Sequence, residues 1–282
     1  MSETNYYLVY ISPNGSTGQV ADELAGQLEK GGARVERLDL ADPAGRDTFV
    51  EKLNNDPQAC LLIGSPVYRD MAVPPVMAFI NALAPTETGW AVPFVTWGLV
   101  TSGVALWQMG GALAEKGFRL AGAARVGALH SMMWTADDPA GKGRPDEADR
   151  QLVRDLADRL ISAAAAGTFK TMALETLDYQ PKEKAEEFKA KLDKPWMVIP
   201  KTIDEAACIQ CDVCVEGCPA GALSLDPYPV FGKACFDCFT CVRICPEAAI
   251  IPAAPAEKIA EKVREKVAAS TEQPQTEIYF GA

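Results

Sequence analysis

Eight of the nine cysteines fall between Cys208 and Cys245, in two copies of one pattern. Cys208, Cys211, Cys214 and Cys218-Pro219 recur 27 residues later as Cys235, Cys238, Cys241 and Cys245-Pro246, and Ala222-Leu223 maps onto Ala249-Ile250. Each copy reads C-x2-C-x2-C-x3-C-P. Three thiolates in one tight loop grip a single iron–sulfur cube, while the fourth points away and ligates the other cube. The spacing assigns one cluster to Cys208, Cys211, Cys214 and Cys245, and a second to Cys235, Cys238, Cys241 and Cys218. Zinc favours two separated CxxC pairs with longer intervals. A disulfide scaffold belongs to short secreted chains, not to one of 282 residues. The apolar fillers Ile209, Val213, Val242 and Ile244 are expected to wall the clusters from water.

From Tyr6 to Gly167 the pattern is different. Tyr6 to Ile11, Val35 to Leu40, Ala59 to Gly64, Pro93 to Gly98 and Leu120 to Leu129 are apolar runs of strand length. Helical signals separate them: Val20, Leu24 and Leu28 lie four residues apart, and Asp146 to Ala166 carries Leu152, Leu156 and Leu160 beside Val153, Ala157 and Ile161. Five strands interleaved with helices predict an α/β doubly wound parallel sheet, whose ligands sit at the carboxyl ends of the strands. Cys60, mid-strand among apolar residues, is expected to be an inert buried thiol.

The first strand runs into Ser12-Pro13-Asn14-Gly15-Ser16-Thr17 and then a helix N-terminus, where free N–H groups and the helix dipole favour an anion. The turn has no lysine, so it is neither a Walker A loop nor a GxGxxG fingerprint; neutral donors suit a monophosphate, and a plain helix cap is the alternative. Two more strand ends stand beside it, Ser65-Pro66-Val67-Tyr68 and Trp97-Gly98 running on to Gly103. Tyr68 and Trp97 are placed to stack on or edge a flat ligand there, with rim packing as the alternative. His130, the single histidine, closes the fifth strand and reads either as a proton relay or as a structural residue.

Between Thr168 and Pro200 the composition turns charged, and the segment reads as a partly helical linker. Glu257 to Ala269 is a helix candidate, and the last dozen residues are expected to be frayed. The predicted organisation is 1–167, a linker at 168–200, a cluster domain at 201–254, and a helix with a flexible tail at 255–282.

The stretch Lys201 to Ala254 resembles a bacterial-type ferredoxin with two [4Fe-4S] clusters. The loops at Ser12–Thr17, Pro66-Val67-Tyr68 and Trp97-Gly98 with Gly103 resemble the three flavin-binding loops of the flavodoxin family. The whole chain is similar to fused flavodoxin–ferredoxin electron-transfer proteins of anaerobes. That resemblance implies a sheet ordered 2-1-3-4-5, a small α+β ferredoxin-like domain after it, and FMN held by Ser12, Asn14, Gly15, Ser16, Thr17, Pro66, Val67, Tyr68, Trp97, Gly98 and Gly103. The first turn departs from the flavodoxin pattern T-x-T-G-x-T in having Ser12 and Asn14.

Charge narrows the partners. Lys and Arg number 27 against 38 Asp and Glu, a net charge of −11, which is wrong for binding nucleic acid. From Lys201 to Ala254 seven acids (Asp204, Glu205, Asp212, Glu216, Asp226, Asp237, Glu247) face three bases (Lys201, Lys233, Arg243), so a redox partner with a basic docking patch is expected. No apolar run approaches a membrane span and no basic leader precedes an apolar stretch, so the expected compartment is the cytoplasm. A homodimer is left open. The favoured reading is an electron carrier with two [4Fe-4S] clusters and FMN. An NAD(P)H- or ferredoxin-dependent flavin or quinone reductase is the main alternative, and a flavin-free iron–sulfur interaction module a second.

Overall fold

The computed structural model describes residues 4–42 and 44–281; Met1 to Glu3 and Ala282 of the terminal readings lie outside them. In chain order the first unit comprises β1 (Asn5–Tyr10), α1 (Ser16–Lys30), β2 (Arg34–Asp39), α2 (Arg46–Asn54), β3 (Ala59–Tyr68), β4 (Met71–Ala72), α3 (Pro74–Ala82) and β5 (Trp90–Trp97). It continues through α4 (Ala105–Glu115), β6 (Arg119–Leu120), β7 (Gly122–Gly127) and α5 (Glu147–Ala166). Strand alternation sorts the side chains by face. Tyr7, Val9, Leu61 and Ile63 meet α2, α3 and α4, whereas Leu8, Cys60 and Leu62 meet the Val20/Leu24/Leu28 stripe of α1 and the Val153/Leu156/Leu160 stripe of α5. The result is three layers, with the parallel sheet in the middle and buried on both faces. Its parallel strands run β2-β1-β3-β5-β7, which is the order 2-1-3-4-5 with a helix at each crossover. Cys60 has no exposed surface, and burial pushes its thiol up to about 12.

After a short 3-10 turn (Leu174–Leu177) come α6 (Lys182–Lys189), β8 (Lys201–Ile203), α7 (Val213–Glu216), β9 (Leu223–Leu225), β10 (Pro229–Phe231), α8 (Thr240–Ile244), β11 (Ile250–Pro252), α9 (Ala256–Ala268) and β12 (Glu277–Phe280). The connecting segment is partly helical as expected, and it is packed: Met172 and Leu177 are buried in the core that α4 shares. The second unit has a pseudo-twofold build that follows the sequence repeat. Each half gives one short helix carrying a cysteine and two short strands, and each two-stranded ribbon, β9–β10 and β8–β11, pairs a strand of one half with a strand of the other.

The frayed tail is a correction. β12 pairs antiparallel with β7 and adds an edge strand to the first unit's sheet. Its alternation continues the sorting, since Ile278 and Phe280 pack on the α1/α5 side and Tyr279 on the other. Charge chemistry fixes the approach. Arg125 on β7 is 3% exposed, and its guanidinium donates to Glu272 Oε1 at 2.5 Å and Glu277 Oε2 at 2.9 Å. The Glu272 carboxylate also accepts from the Ser102 N–H (3.0 Å) and the Thr101 hydroxyl (3.1 Å), so the tail occupies donors of the loop after β5. Losing Glu272 would leave the buried Arg125 with Glu277 as its remaining carboxylate and strip the acceptor from the Ser102 N–H, a loss of about 2 kcal/mol. Glu272→Ala should therefore shift the urea midpoint of the first unit downward by a corresponding amount. An unchanged midpoint would show that the tail is not fastened in this way.

Candidate functional site

At the carboxyl ends of β1, β3, β5 and β7 lies a cavity enclosing about 700 Å³, its open mouth included. Asn14 and Ser16 come from the turn after β1, Pro66 to Arg69 from β3, Thr96 to Gly98 from β5, and Ala128 to Met132 from the segment after β7. Seven residues expected to hold a flavin are thus brought together: Asn14, Ser16, Pro66, Val67, Tyr68, Trp97 and Gly98.

The remaining four are not on this wall, for local reasons. Ser12 Oγ accepts the Gly18 N–H at 2.7 Å, so it braces α1 from below. Thr17 is fully buried, and its hydroxyl shares a 2.8 Å hydrogen bond with that of Thr96, tying α1 to β5 instead of serving an anion. Gly15 lies outside, exposed, in the left-handed region at φ 88°, and a Cβ added there would meet nothing within 4 Å. Gly103, at φ 58°, is pressed on the Asp70 carbonyl, where a Cβ would stand 2.0 Å away; its role is backbone packing. Trp97 also needs correction. It borders the cavity, but its ring is 2% exposed and its indole N–H donates to the Gln275 carbonyl at 2.9 Å, so its indole is tied to the tail.

Three residues from beyond the first unit, which sequence reasoning missed, complete the wall: Ile199 at the end of the connecting segment, and Phe236 and Asp237 of the iron–sulfur half. Phe236 is 1% exposed and stacks on Tyr68, with ring centroids 6.1 Å apart and planes 24° from parallel. Tyr68 Oη is buried with no hydrogen bond of acceptable geometry, and burial pushes it up to about 12. An orphaned hydroxyl beside the positive end of the α1 dipole is what a polar, anionic cofactor would satisfy. The residues present therefore fit a flavin mononucleotide.

The cysteines fall into two rings, divided as the spacing assigned them. Cys208, Cys211, Cys214 and Cys245 line one cavity of about 360 Å³, and Cys218, Cys235, Cys238 and Cys241 line another of about 290 Å³. Each ring takes its fourth thiol from the other half of the repeat. Four thiols around one cavity fit a cubane iron–sulfur cluster. Left-handed residues bend each loop inward, Gln210 and Asp212 in one, Asp237 and Phe239 in the other. The expected apolar wall is only partial: Ile209 is 61% exposed and Val213 38% exposed, and Cys211 is exposed beside them. The second ring is shielded. Phe236 and Phe239 cover it, and Lys201 Nζ pairs with Asp237 Oδ1 at 2.5 Å while standing 4.4 Å from the centre of the Phe239 ring.

His130 lies on the flavin-cavity wall against Gly98, where its Nδ1 accepts the Met132 N–H at 3.3 Å. Burial, aided by Lys266 on α9, holds its imidazolium well below the usual range, at about 4. It is neutral at physiological pH, and the accepting Nδ1 places its proton on Nε2. A depressed native value means the unfolded chain takes up a proton that the folded chain refuses, so stability is lost as pH falls below about 6.5. The histidine ring signals in NMR should titrate with a midpoint near 4. A midpoint near 6.5 would place the ring in water.

Comparison with known families matches residues 200–246 to the 4Fe-4S dicluster domain. No curated protein matches the sequence. Among solved structures, similarity is found to the rubredoxin oxygen:oxidoreductase of the anaerobe Desulfovibrio gigas (20% identity, 58% of this chain and 36% of that one, TM-score 0.45). The Flv1 flavodiiron core of Synechocystis sp. PCC6803 is similar at 18% identity, 58% and 36% coverage and TM-score 0.43. The two-electron reduced flavodoxin of Megasphaera elsdenii gives 21% identity, 56% and 99% coverage and TM-score 0.42. The chain thus spans about a third of the length of the first two. With the strand order 2-1-3-4-5 in its first unit and the dicluster match in its second, the chain is a flavodoxin-like α/β unit fused to a 4Fe-4S iron–sulfur domain.

Proposed function

We propose that this chain is an electron carrier holding FMN and two [4Fe-4S] clusters, with electrons relayed between the flavin and a partner protein through the two cysteine rings in series. One observation carries the reading. Phe236 lies on the wall of the flavin cavity and on the wall of the Cys218/Cys235/Cys238/Cys241 ring at once. When bound, FMN supplies one- or two-electron chemistry coupled to protons, and a cubane cluster supplies one-electron steps.

The chain's own residues do the rest. The α1 N-terminus, which reaches the cavity at Asn14 and Ser16, receives the phosphate, and Tyr68 offers its unpaired hydroxyl to the ring system. The shielded cysteine ring sits against that ring system, and the exposed ring carries the outward contact. Around the exposed ring, Asp204, Glu205, Asp212, Glu216, Asp226 and Glu247 are all exposed. Two of the three bases of this half are drawn inward, Lys201 to Asp237 and Arg243 to the first unit, leaving Lys233 at the surface. Such a surface steers toward a basic partner, with a rate that falls as salt rises. Ile199, Phe236 and Asp237 stand over the cavity, where a hydride donor or quinone would have to approach. That supports a carrier over an NAD(P)H-dependent reductase. Among the described residues no helix is long and apolar enough to cross a membrane.

Protein purified without oxygen should contain about eight irons and one FMN. Cys218→Ser should cost about four of those irons, and the surviving cluster should be the one on Cys208, Cys211, Cys214 and Cys245. Loss of that cluster instead would refute the crossed pairing, and stoichiometric zinc would refute both. In anaerobic stopped flow, a low-potential one-electron donor should bleach the cluster absorption first, with flavin reduction following. Rapid flavin reduction by NADH while the clusters stay oxidised would favour the reductase.

A further inference from the structure

The turn that receives the flavin phosphate is held from outside its own unit. Pro13, inside Ser12–Thr17, has a carbonyl that accepts Arg243 Nη2 at 2.7 Å and the Thr240 hydroxyl at 3.3 Å. Both donors belong to α8 of the iron–sulfur half. The same guanidinium donates Nη1 to the Cys238 carbonyl at 2.8 Å and Nη2 to the Thr240 hydroxyl at 3.0 Å. Arg243 therefore spans two backbone segments, one forming the phosphate turn and the other wrapping the shielded cysteine ring. A planar guanidinium with several fixed donors suits such a bridge, and lysine, a single rotatable point charge, does not.

The contact is part of a seam. Phe236 stacks on Tyr68, and Trp134, just past the His130–Met132 wall, packs on Phe239 with centroids 5.4 Å apart. Phe236 and Phe239 flank Cys238, whose carbonyl Arg243 holds. The turn itself contains no basic residue to replace the bridge. Ligation of its thiolates would restrain the loop Cys235–Cys241, and Arg243 ties that loop to the phosphate turn, so the two meet in one side chain.

We infer that Arg243 is a positioning residue that couples the two cofactor sites, so that flavin affinity depends on an intact second cluster and flavin in turn protects that cluster. Reciprocity is required, because a coupling free energy between two sites has one value whichever ligand binds first. The inference rests on the assignment of FMN and two clusters above.

The test uses the full chain, freed of flavin and loaded with both clusters, and reads FMN affinity from quenching of flavin fluorescence. Wild-type protein is titrated first; if it binds no FMN, the proposed function and this coupling fall together. Given wild-type binding, Arg243→Gln protein that still contains about eight irons should bind FMN at least tenfold more weakly, and Arg243→Lys should recover only part of the loss. Unchanged affinity in Arg243→Gln, within twofold, would overturn the inference while leaving the carrier reading intact. Should Arg243→Gln fail to keep its irons, the wild-type protein decides. Saturating FMN should slow chelator removal of iron from the Cys218/Cys235/Cys238/Cys241 cluster several-fold and leave the other cluster's rate unchanged. Equal protection of both clusters, or of neither, would overturn the coupling.

Discussion

The seating of the Cys235–Cys241 loop on the carboxyl edge of the parallel sheet is the constraint on which the rest of the molecule depends. An α/β sheet of this order presents its ligand crevice outside the carboxyl ends of its strands, and there three strand-end turns converge. In this chain the fourth side of the crevice belongs to the iron–sulfur half. Phe236 lies against Tyr68, Asp237 carries the buried Lys201 ammonium, and Arg243 reaches across to the Pro13 carbonyl. If the loop were displaced, the cavity would lose a wall and the shielded cysteine ring would become as open as the other.

The two rings are chemically alike in their cysteine spacing and unlike in their surroundings. One is rimmed by exposed Ile209, Val213 and acidic residues, the other enclosed by Phe236, Phe239 and a buried ion pair. A tandem repeat with the same cysteine spacing in both copies is used asymmetrically, because only one ring faces the sheet. The tail completes the arrangement. After α9 packs on a 3-10 turn at Ser131–Met133, next to His130, the chain returns to pair β12 with β7, so the iron–sulfur half is bracketed in sequence by segments of the first unit. Such a bracket keeps effective concentration high without a long tether.

How much of this was legible in the sequence depended on whether the signal was local. The division of the eight cysteines between two cavities was legible in their spacing, because in each C-x2-C-x2-C-x3-C-P copy the fourth thiol points away from the other three. The layered sheet followed from apolar runs of strand length such as Tyr6 to Ile11 and Ala59 to Gly64, interleaved with helical stripes such as Val20, Leu24 and Leu28. Trp97 misled because an aromatic at a strand end can turn to either side, and only Gln275, distant in sequence, decides which. Thr17 misled for a related reason: a hydroxyl in the right turn looks like an anion donor until Thr96 is seen beside it. Glu277-Ile278-Tyr279-Phe280 had strand character that could have been noticed, yet four residues become a strand only when an edge such as β7 accepts them. Ile199, Phe236, Asp237 and Arg243 carried no local signal, since their role exists only between the two halves.

An anaerobic crystal structure of the loaded protein, with iron located by its anomalous scattering, tests the central claim most directly. The account predicts that the iron cube held by Cys218, Cys235, Cys238 and Cys241 lies nearer the flavin ring than the other cube, with Phe236 between them. A flavin ring nearer the cube of Cys208, Cys211, Cys214 and Cys245, or bound away from Tyr68 and Phe236, would contradict it.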